Sequence, residues 1–467
     1  MKTASRSIAS PFRPKQKKAR SYRRDVLYTL VRHTLSDFDA IQGQWVLPNT
    51  DKVYKKVSRS KKWKKNTIEL EHGAKGHWLG HSDAKYVLLY FHGGGYVAPS
   101  TPGHLKYQFH LQKYLRKQGL DVSIFSLSYV LAPKVLHPAF IQQSTSALKH
   151  LIEKDGRDPS TIIIAGDSAG GNMAASLLLH LGKPHPGCEA YKLKSKLRGA
   201  LLISPWVSFD TGAASITKNK HSDYLTKSAL EYGKITFIPK DSEHDPYSQP
   251  VDAPVDWWKA VAEKVVDKAL VWGGGGEVLI DGIRQFAHNL MSGFEDAVDV
   301  QEEKNELLKM MTVDVEKLHP EVHLRAKLIV SPFEAHEEMI INRLFYINKD
   351  GDGGRQIKQW LVDTFKDEHN ILAPVKTNQG LPAEEPKPAI ETKAIDDAKL
   401  EKVVKEDEAS EPKADEKPVV AESKPEVVDG TTPAPAPTFQ GVADTDETID
   451  EAKSNQEIVD ATKDSAK

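Results

Sequence analysis

One cysteine, Cys188, stands in the 467 residues. No disulfide can form within the chain, and a reducing compartment is the default setting for such a sequence. Cys188 sits in a Pro/Gly-rich loop away from every motif below and reads as a bystander. Long apolar runs are missing too. No stretch of about eighteen apolar residues occurs, so no bilayer-spanning helix is expected. The basic start is not followed by an apolar core, so no secretory signal is read there. Net charge is also lacking: 64 Lys and Arg face 65 Asp and Glu. That balance hides opposed ends. No acid precedes Asp25, whereas past about Ala373 the chain is acidic and Phe439 is its only aromatic. Such a tail buries too little apolar surface to offset its ordering entropy, so residues 373–467 read as disordered.

Residues 1–20 read as a basic disordered N-terminus. Arg13, Lys15, Lys17, Lys18, Arg20, Arg23 and Arg24 suit either a solvated tail or peripheral contact with anionic lipid. The same start has the Ser/Arg-rich, acid-poor composition of a mitochondrial transit peptide. A second cluster, Lys55, Lys56, Arg59, Lys61, Lys62, Lys64 and Lys65, strengthens the lipid reading if it shares a face with the first. No nucleic-acid motif accompanies this charge, so no nucleic-acid partner is expected. The location read is intracellular, cytoplasmic or membrane-associated, with the mitochondrial address left open.

Residues 21–46 carry Val26, Leu27, Leu30, Val31, Leu35, Phe38 and Ile41 at three- and four-residue spacing, which predicts a helix with an apolar stripe. Eight strand candidates follow, at 67–70, 76–79, 86–91, 121–127, 161–165, 199–204, 269–272 and 326–330. Helical stretches at 104–118, 140–153 and 172–181 separate the middle ones. Alternating strands and helices predict an α/β domain with a mostly parallel eight-stranded sheet and helices on both faces. An insertion at about 207–264 holds seven aromatic residues. It suits a cap over the active end of the sheet, although most of its aromatics read as ordinary core.

The organising motif is Gly166-Asp167-Ser168-Ala169-Gly170, between an apolar strand and a helix-forming stretch. A sharp strand-to-helix turn needs small neighbours and exposes the serine at a helix start. A serine hydroxyl is a weak nucleophile until a base takes its proton, so more parts are required. His92-Gly93-Gly94-Gly95 ends the third strand and offers backbone N–H groups to an oxyanion. Glu277 leaves the seventh strand and is the preferred orienting acid, with Asp281 the alternative. His336 lies just past the eighth strand, completing the order serine, acid, histidine. Asp350-Gly351-Asp352 opens like a calcium loop, but Arg355 and Leu361 stand where its Gly and Glu belong. The histidines show no zinc spacing, so neither metal nor cofactor is expected.

These motifs, with Tyr129-Val130-Leu131-Ala132-Pro133 and Gly171-Asn172, resemble the hormone-sensitive-lipase-like branch of the α/β-hydrolases. That branch includes microbial carboxylesterases, arylacetamide deacetylases and fungal sterol-acetate deacetylases. The resemblance covers about residues 21–365. It implies the α/β-hydrolase fold and a helical cap from about 21–50 and 207–264. By family position Ser168 is nucleophile, His336 base and Glu277 acid, with Gly94, Gly95 and Ala169 as oxyanion donors. The implied substrate is a small carboxylic ester, of short acyl groups or of sterol or aryl acetates. One departure is Glu277-Val278-Leu279-Ile280-Asp281, where many relatives have Asp-Pro-Leu-x-Asp. The competing class is a catalytically silent binding or scaffold protein that keeps the fold. Relatives of that kind lack the histidine, which is present here.

Overall fold

The computed structural model describes residues 19, 21–37, 40–311, 325–347 and 350–367, with the backbone alone at 37, 40 and 298–311. The acidic tail read over 373–467 and residues 1–18 and 20 of the basic start lie outside the described residues. Ala19 is described, and it is buried with its N–H on Asp25 Oδ1 at 3.1 Å. The packed chain therefore begins earlier than the predicted boundary at 21.

Three helices lead in: α1 (Tyr22–Asp37), α2 (Ala40–Val46) and α3 (Thr50–Lys61). The sheet then begins with β1 (Thr67–Glu69), β2 (Lys75–Leu79) and β3 (Tyr86–Phe91), followed by α4 (Pro102–Lys117), β4 (Val122–Ser128), α5 (Ala139–Lys149), β5 (Ile162–Asp167), α6 (Ala169–Gly182) and β6 (Gly199–Ile203). The insertion carries α7 (Ala214–Lys218), α8 (Lys227–Phe237) and α9 (Val255–Lys264). β7 (Ala269–Gly274), α10 (Ile280–Met311), β8 (Ala326–Ser331), α11 (Glu338–Leu344) and α12 (Asp352–Lys366) complete the domain.

All eight expected strands join one sheet in the order β1-β2-β4-β3-β5-β6-β7-β8. The pairs β1/β2 and β2/β4 are antiparallel and every other pair is parallel. Strands buried on both faces read as continuous apolar runs, as β3 does. Successive side chains still go to opposite faces. Leu88 and Tyr90 pack with α3, α4 and α12 residues such as Val53, Leu111 and Trp360. Val87, Leu89 and Phe91 pack with α5, α6, α9 and α10 residues such as Ile141, Leu177, Trp258 and Phe286.

Three expectations need correcting. First, the stretch 21–46 forms two helices, and its apolar stripe is not the buried face: Leu30, Leu35 and Ile41 are exposed, while Asp25, Tyr28 and Thr29 are buried. The helix is held by Tyr28 and Val31, which pack with Tyr224, Ala335 and Ile341, and by polar contacts, among them Arg24 to Glu338 at 2.8 Å and Arg32 Nη2 to the Asp223 carbonyl at 2.5 Å. Arg24 thus belongs to a buried ion pair and not to a lipid-facing tail. Second, α3 was not foreseen. Asn49 caps it by accepting from Lys52 N at 2.9 Å, and Lys62 ends it in the left-handed conformation. Its Val53, Tyr54 and Val57 are buried, while Lys55, Lys56 and Arg59 line the solvated side. Third, α9 packs on α6 and α10 in the body of the domain, so the cap does not extend to residue 264. Of the insertion's aromatics, Phe209, Tyr224, Phe237, Tyr247 and Trp258 are buried, as the core reading expects.

Candidate active site

The C-terminal ends of the parallel strands gather polar side chains in one place. Ser168 ends the β5 turn at φ 51, a conformation L-residues adopt only when the surroundings impose it. The turn is this tight because α6 starts against β3: a Cβ on Gly170 would stand 2.1 Å from the Phe91 carbonyl oxygen. Ser168 N–H donates to the Ile203 carbonyl at 3.0 Å, which pins the turn to the end of β6. Ser168 is 8% exposed.

Past β7, Glu277 is fully buried. Its Oε2 lies 2.7 Å from His336 Nδ1, and its Oε1 accepts from Gly274 N at 2.6 Å and from Ser204 Oγ at 3.1 Å. A carboxylate with these neighbours accepts only, so Nδ1 carries the imidazole proton and Nε2 keeps its lone pair. Asp281 lies elsewhere: its Oδ2 accepts from Ser215 N at 2.8 Å, and Arg284 is 3.8 Å from its Oδ1. Among the described residues no hydrogen bond joins Ser168 Oγ to His336.

Of the glycines after β3, Gly93 must leave the set of oxyanion donors. Its N–H is already committed to Asp167 Oδ2 at 2.6 Å. Gly94 (φ 118) and Gly95 (φ 60) turn the loop, and among the described residues neither N–H has a backbone partner. Ala169 is the first residue of α6, where helical geometry leaves the N–H free. The loop is braced by Tyr96, whose OH donates to Asn172 Oδ1 at 2.7 Å, and by Gln44 of α2, whose Nε2 donates to the Val97 carbonyl at 2.8 Å. His92 stacks on Tyr129 and is held neutral near pH 7: burial first, then His104, lowers its pKa to about 4. A cleft of about 450 Å³ beside this loop is lined by Gln44, Thr50, Asp51, Lys75 and Tyr129 and includes none of Ser168, Glu277 and His336.

The sequence reading missed four residues of this edge. Asp223 is buried between the acid and the base loops, accepting from Val278 N at 2.8 Å and from His336 N at 3.3 Å. Burial above all pushes its carboxyl up, to about 6. Ser204 bridges Glu277 to the backbone N–H of Glu337, 3.2 Å from its Oγ. His104 Nε2 stands 3.1 Å from Asp167 Oδ2, and Glu337 Oε1 stands 3.6 Å from His336 Nε2. No local signal marks Asp223, Ser204 and His104, because their partners at this edge are distant in sequence. Asp350, from the rejected calcium loop, is paired with Arg343 and Lys358.

A family profile described as the alpha/beta hydrolase fold matches residues 88–311. The chain has the α/β-hydrolase fold, and it is similar to the hormone-sensitive-lipase-like branch of that fold. The chain is 35% identical over 149 residues to arylacetamide deacetylase of Bos taurus, covering 31% of this chain and 35% of that protein. It is 30% identical over 163 residues to an acetyl-hydrolase of Streptomyces hygroscopicus, covering 32% and 49%. It is 30% identical over 156 residues to carboxylesterase NlhH of Mycobacterium tuberculosis, covering 33% and 45%. Each match spans less than half of the relative's own length. Among solved structures, a mutant of the esterase rPPE superposes with a TM-score of 0.51 at 18% identity, covering 73% of this α/β-hydrolase and 95% of that chain. At that identity the likeness speaks for the fold.

Proposed function

We propose that this α/β-hydrolase cleaves carboxylic esters through an acyl-enzyme on Ser168. The observation that carries the reading is the buried 2.7 Å contact of His336 Nδ1 with Glu277, at the same strand edge as a serine in a strained strand-to-helix turn. His336 Nε2 takes the Ser168 proton as the oxygen attacks the ester carbonyl. Gly94, Gly95 and Ala169 N–H groups meet the oxyanion, and Glu277 balances the imidazolium. The imidazolium then protonates the leaving alcohol, and a water repeats the sequence to release the acid. Acetyl and other short acyl esters are the substrate class, in keeping with relatives named as a deacetylase and an acetyl-hydrolase.

A fluorophosphonate probe tests this directly. The reading expects labelling of the full chain that vanishes in Ser168→Ala, and faster turnover of nitrophenyl acetate than of long-chain nitrophenyl esters. A folded wild type that neither labels nor turns over would instead mark a binding protein that has kept the fold.

A further inference from the structure

Among the buried acids that the chemistry above leaves unused, one stands against the base. Glu337 follows the base directly, in the left-handed conformation at φ 46. Its Oε1 stands 3.6 Å from His336 Nε2, the nitrogen that has to face Ser168. On its other side is Asp167: a carboxylate oxygen of each lies within 4.8 Å of the other and of a His104 ring nitrogen. Both acids press on Gly93, where a Cβ would stand 2.5 Å from Asp167 Oδ2 and 2.5 Å from Glu337 Oε1. Two buried carboxyl groups this close cannot both be ionised, so one proton must be shared.

The donors decide where that proton rests. Asp167 Oδ2 accepts the Gly93 N–H at 2.6 Å. His104 Nδ1 accepts the Thr101 N–H at 3.0 Å, which puts the His104 proton on Nε2, 3.1 Å from the same Asp167 oxygen. Asp167 therefore has the Gly93 N–H as a hydrogen-bond donor and the His104 Nε2 proton beside the same oxygen. Among the described residues the Glu337 carboxyl has only the Tyr224 hydroxyl as a donor, 3.3 Å from Oε2. The better-solvated acid is the anion, and the other keeps the proton.

We propose that Glu337 works as a neutral, proton-holding positioning residue, hydrogen-bonded to ionised Asp167, whose neutrality leaves His336 Nε2 free to serve Ser168. This rests on the serine-hydrolase reading. An ionised Glu337 would set a second carboxylate against the imidazole, opposite Glu277. It would favour the imidazolium and draw the Nε2 proton away from the serine, disabling the base. The groups facing Glu337 all bear on its proton: Asp167 with Tyr90 and His104 behind it, Tyr224 from the insertion with Asp223 behind it, Glu277 from the loop after β7, Tyr129, and His336 beside it. Most are acids or phenols. Burial first, then the Asp167 charge, pushes the Glu337 carboxyl well above the usual range. Burial also works to raise Asp167, but His104 and the hydrogen bonds around it outweigh that and hold it at about 2.

The test uses the full-length protein and its Glu337→Gln variant, which keeps a donor toward Asp167 and cannot ionise. At about pH 8, above the Asp223 range, the wild type is expected to show the infrared carbonyl band of a protonated carboxyl, absent from Glu337→Gln. On nitrophenyl acetate the variant is expected to lose about twofold to fivefold in kcat, with the acid limb of kcat/KM within about 0.3 pH unit of the wild type. A missing band, or an acid limb moved about one unit or more to lower pH in the variant, means that Glu337 is ionised in the wild type, and the proposal falls. Should the variant not fold, the wild-type band at pH 8 decides alone. If the wild type hydrolyses no ester, the serine-hydrolase reading falls, while the infrared band still reports on the proton.

Discussion

The middle of the sheet and its C-terminal edge are made by the same strands and held by different forces. In the middle, Val87, Leu88, Leu89, Ile163, Ile164 and Leu201 are wholly buried in the two apolar clusters on the faces of the sheet. Attraction there is non-directional and grows with buried area, so no single atom fixes the arrangement. A few residues further on, Asp167, Ser204, Asp223, Glu277, His336 and Glu337 are equally buried, and each is placed by one to three directed hydrogen bonds. Ser168, Ser204 and Glu337 also hold positive φ there. Strain of this kind persists only where neighbours over-determine it, and it concentrates at functional sites. The middle is thus robust to atomic detail and the edge is not.

Substitutions separate the two regions most sharply through activity. Ser168→Ala and His336→Ala are expected to keep the fold and lose several orders of magnitude in ester turnover, down to about what binding and the oxyanion donors leave. Steady-state kinetics beside a melting curve checks both halves. Next in size, Glu277→Gln is expected to cost roughly two to four orders, because it removes the charge and favours the wrong tautomer. Asp281→Asn, whose carboxylate serves Ser215 N, is expected to cost about tenfold or less. Assaying both on one activated ester reverses the assignment if Asp281→Asn proves the crippled one.

The middle responds in the other currency. Leu89→Ala is expected to lower stability by about 2–5 kcal/mol in denaturant unfolding, with kcat of the folded fraction nearly unchanged. A kcat loss as large as that of Glu277→Gln would erase the distinction between the regions.

The smallest effect lies away from both. Asp245 Oδ2 receives His137 Nε2 at 2.9 Å and His185 Nε2 at 3.1 Å, joining three loops. Burial alone would raise this carboxyl, but the His137 hydrogen bond and charge lead the groups that hold it well below the usual range. A depressed folded-state pKa adds stability above the unfolded value near 3.9, and this is lost as pH falls through the folded one. Asp245→Asn is therefore expected to lower Tm at neutral pH by a few degrees, with the gap closing below about pH 4. A gap that stays constant down to acid pH would show the contact to be sterically useful only.

The division between the regions also explains what the sequence revealed. The middle was legible: its buried parallel strands follow from apolar runs such as Tyr86–Phe91. The glycines of the serine turn were legible because a turn with no room for Cβ leaves a local mark. α3 was hidden because the basic cluster at 55–65 drew the eye to charge, while Val53, Tyr54 and Val57 carried the buried face. Asp223, Ser204, His104 and Glu337 were hidden because a directed hydrogen bond across more than fifty residues leaves no periodicity. Gly93 was misread for the same reason, since its N–H belongs to Asp167, 74 positions on.

The claim that the edge acts as one device is tested most directly by kcat for Ser168→Ala, His336→Ala and the double variant on the same ester. Residues that act as a unit are grossly non-additive. The account predicts that the double variant is no slower than the slower single variant, within about threefold. Losses that multiply in the double variant would show that Ser168 and His336 contribute independently, and would contradict the relay.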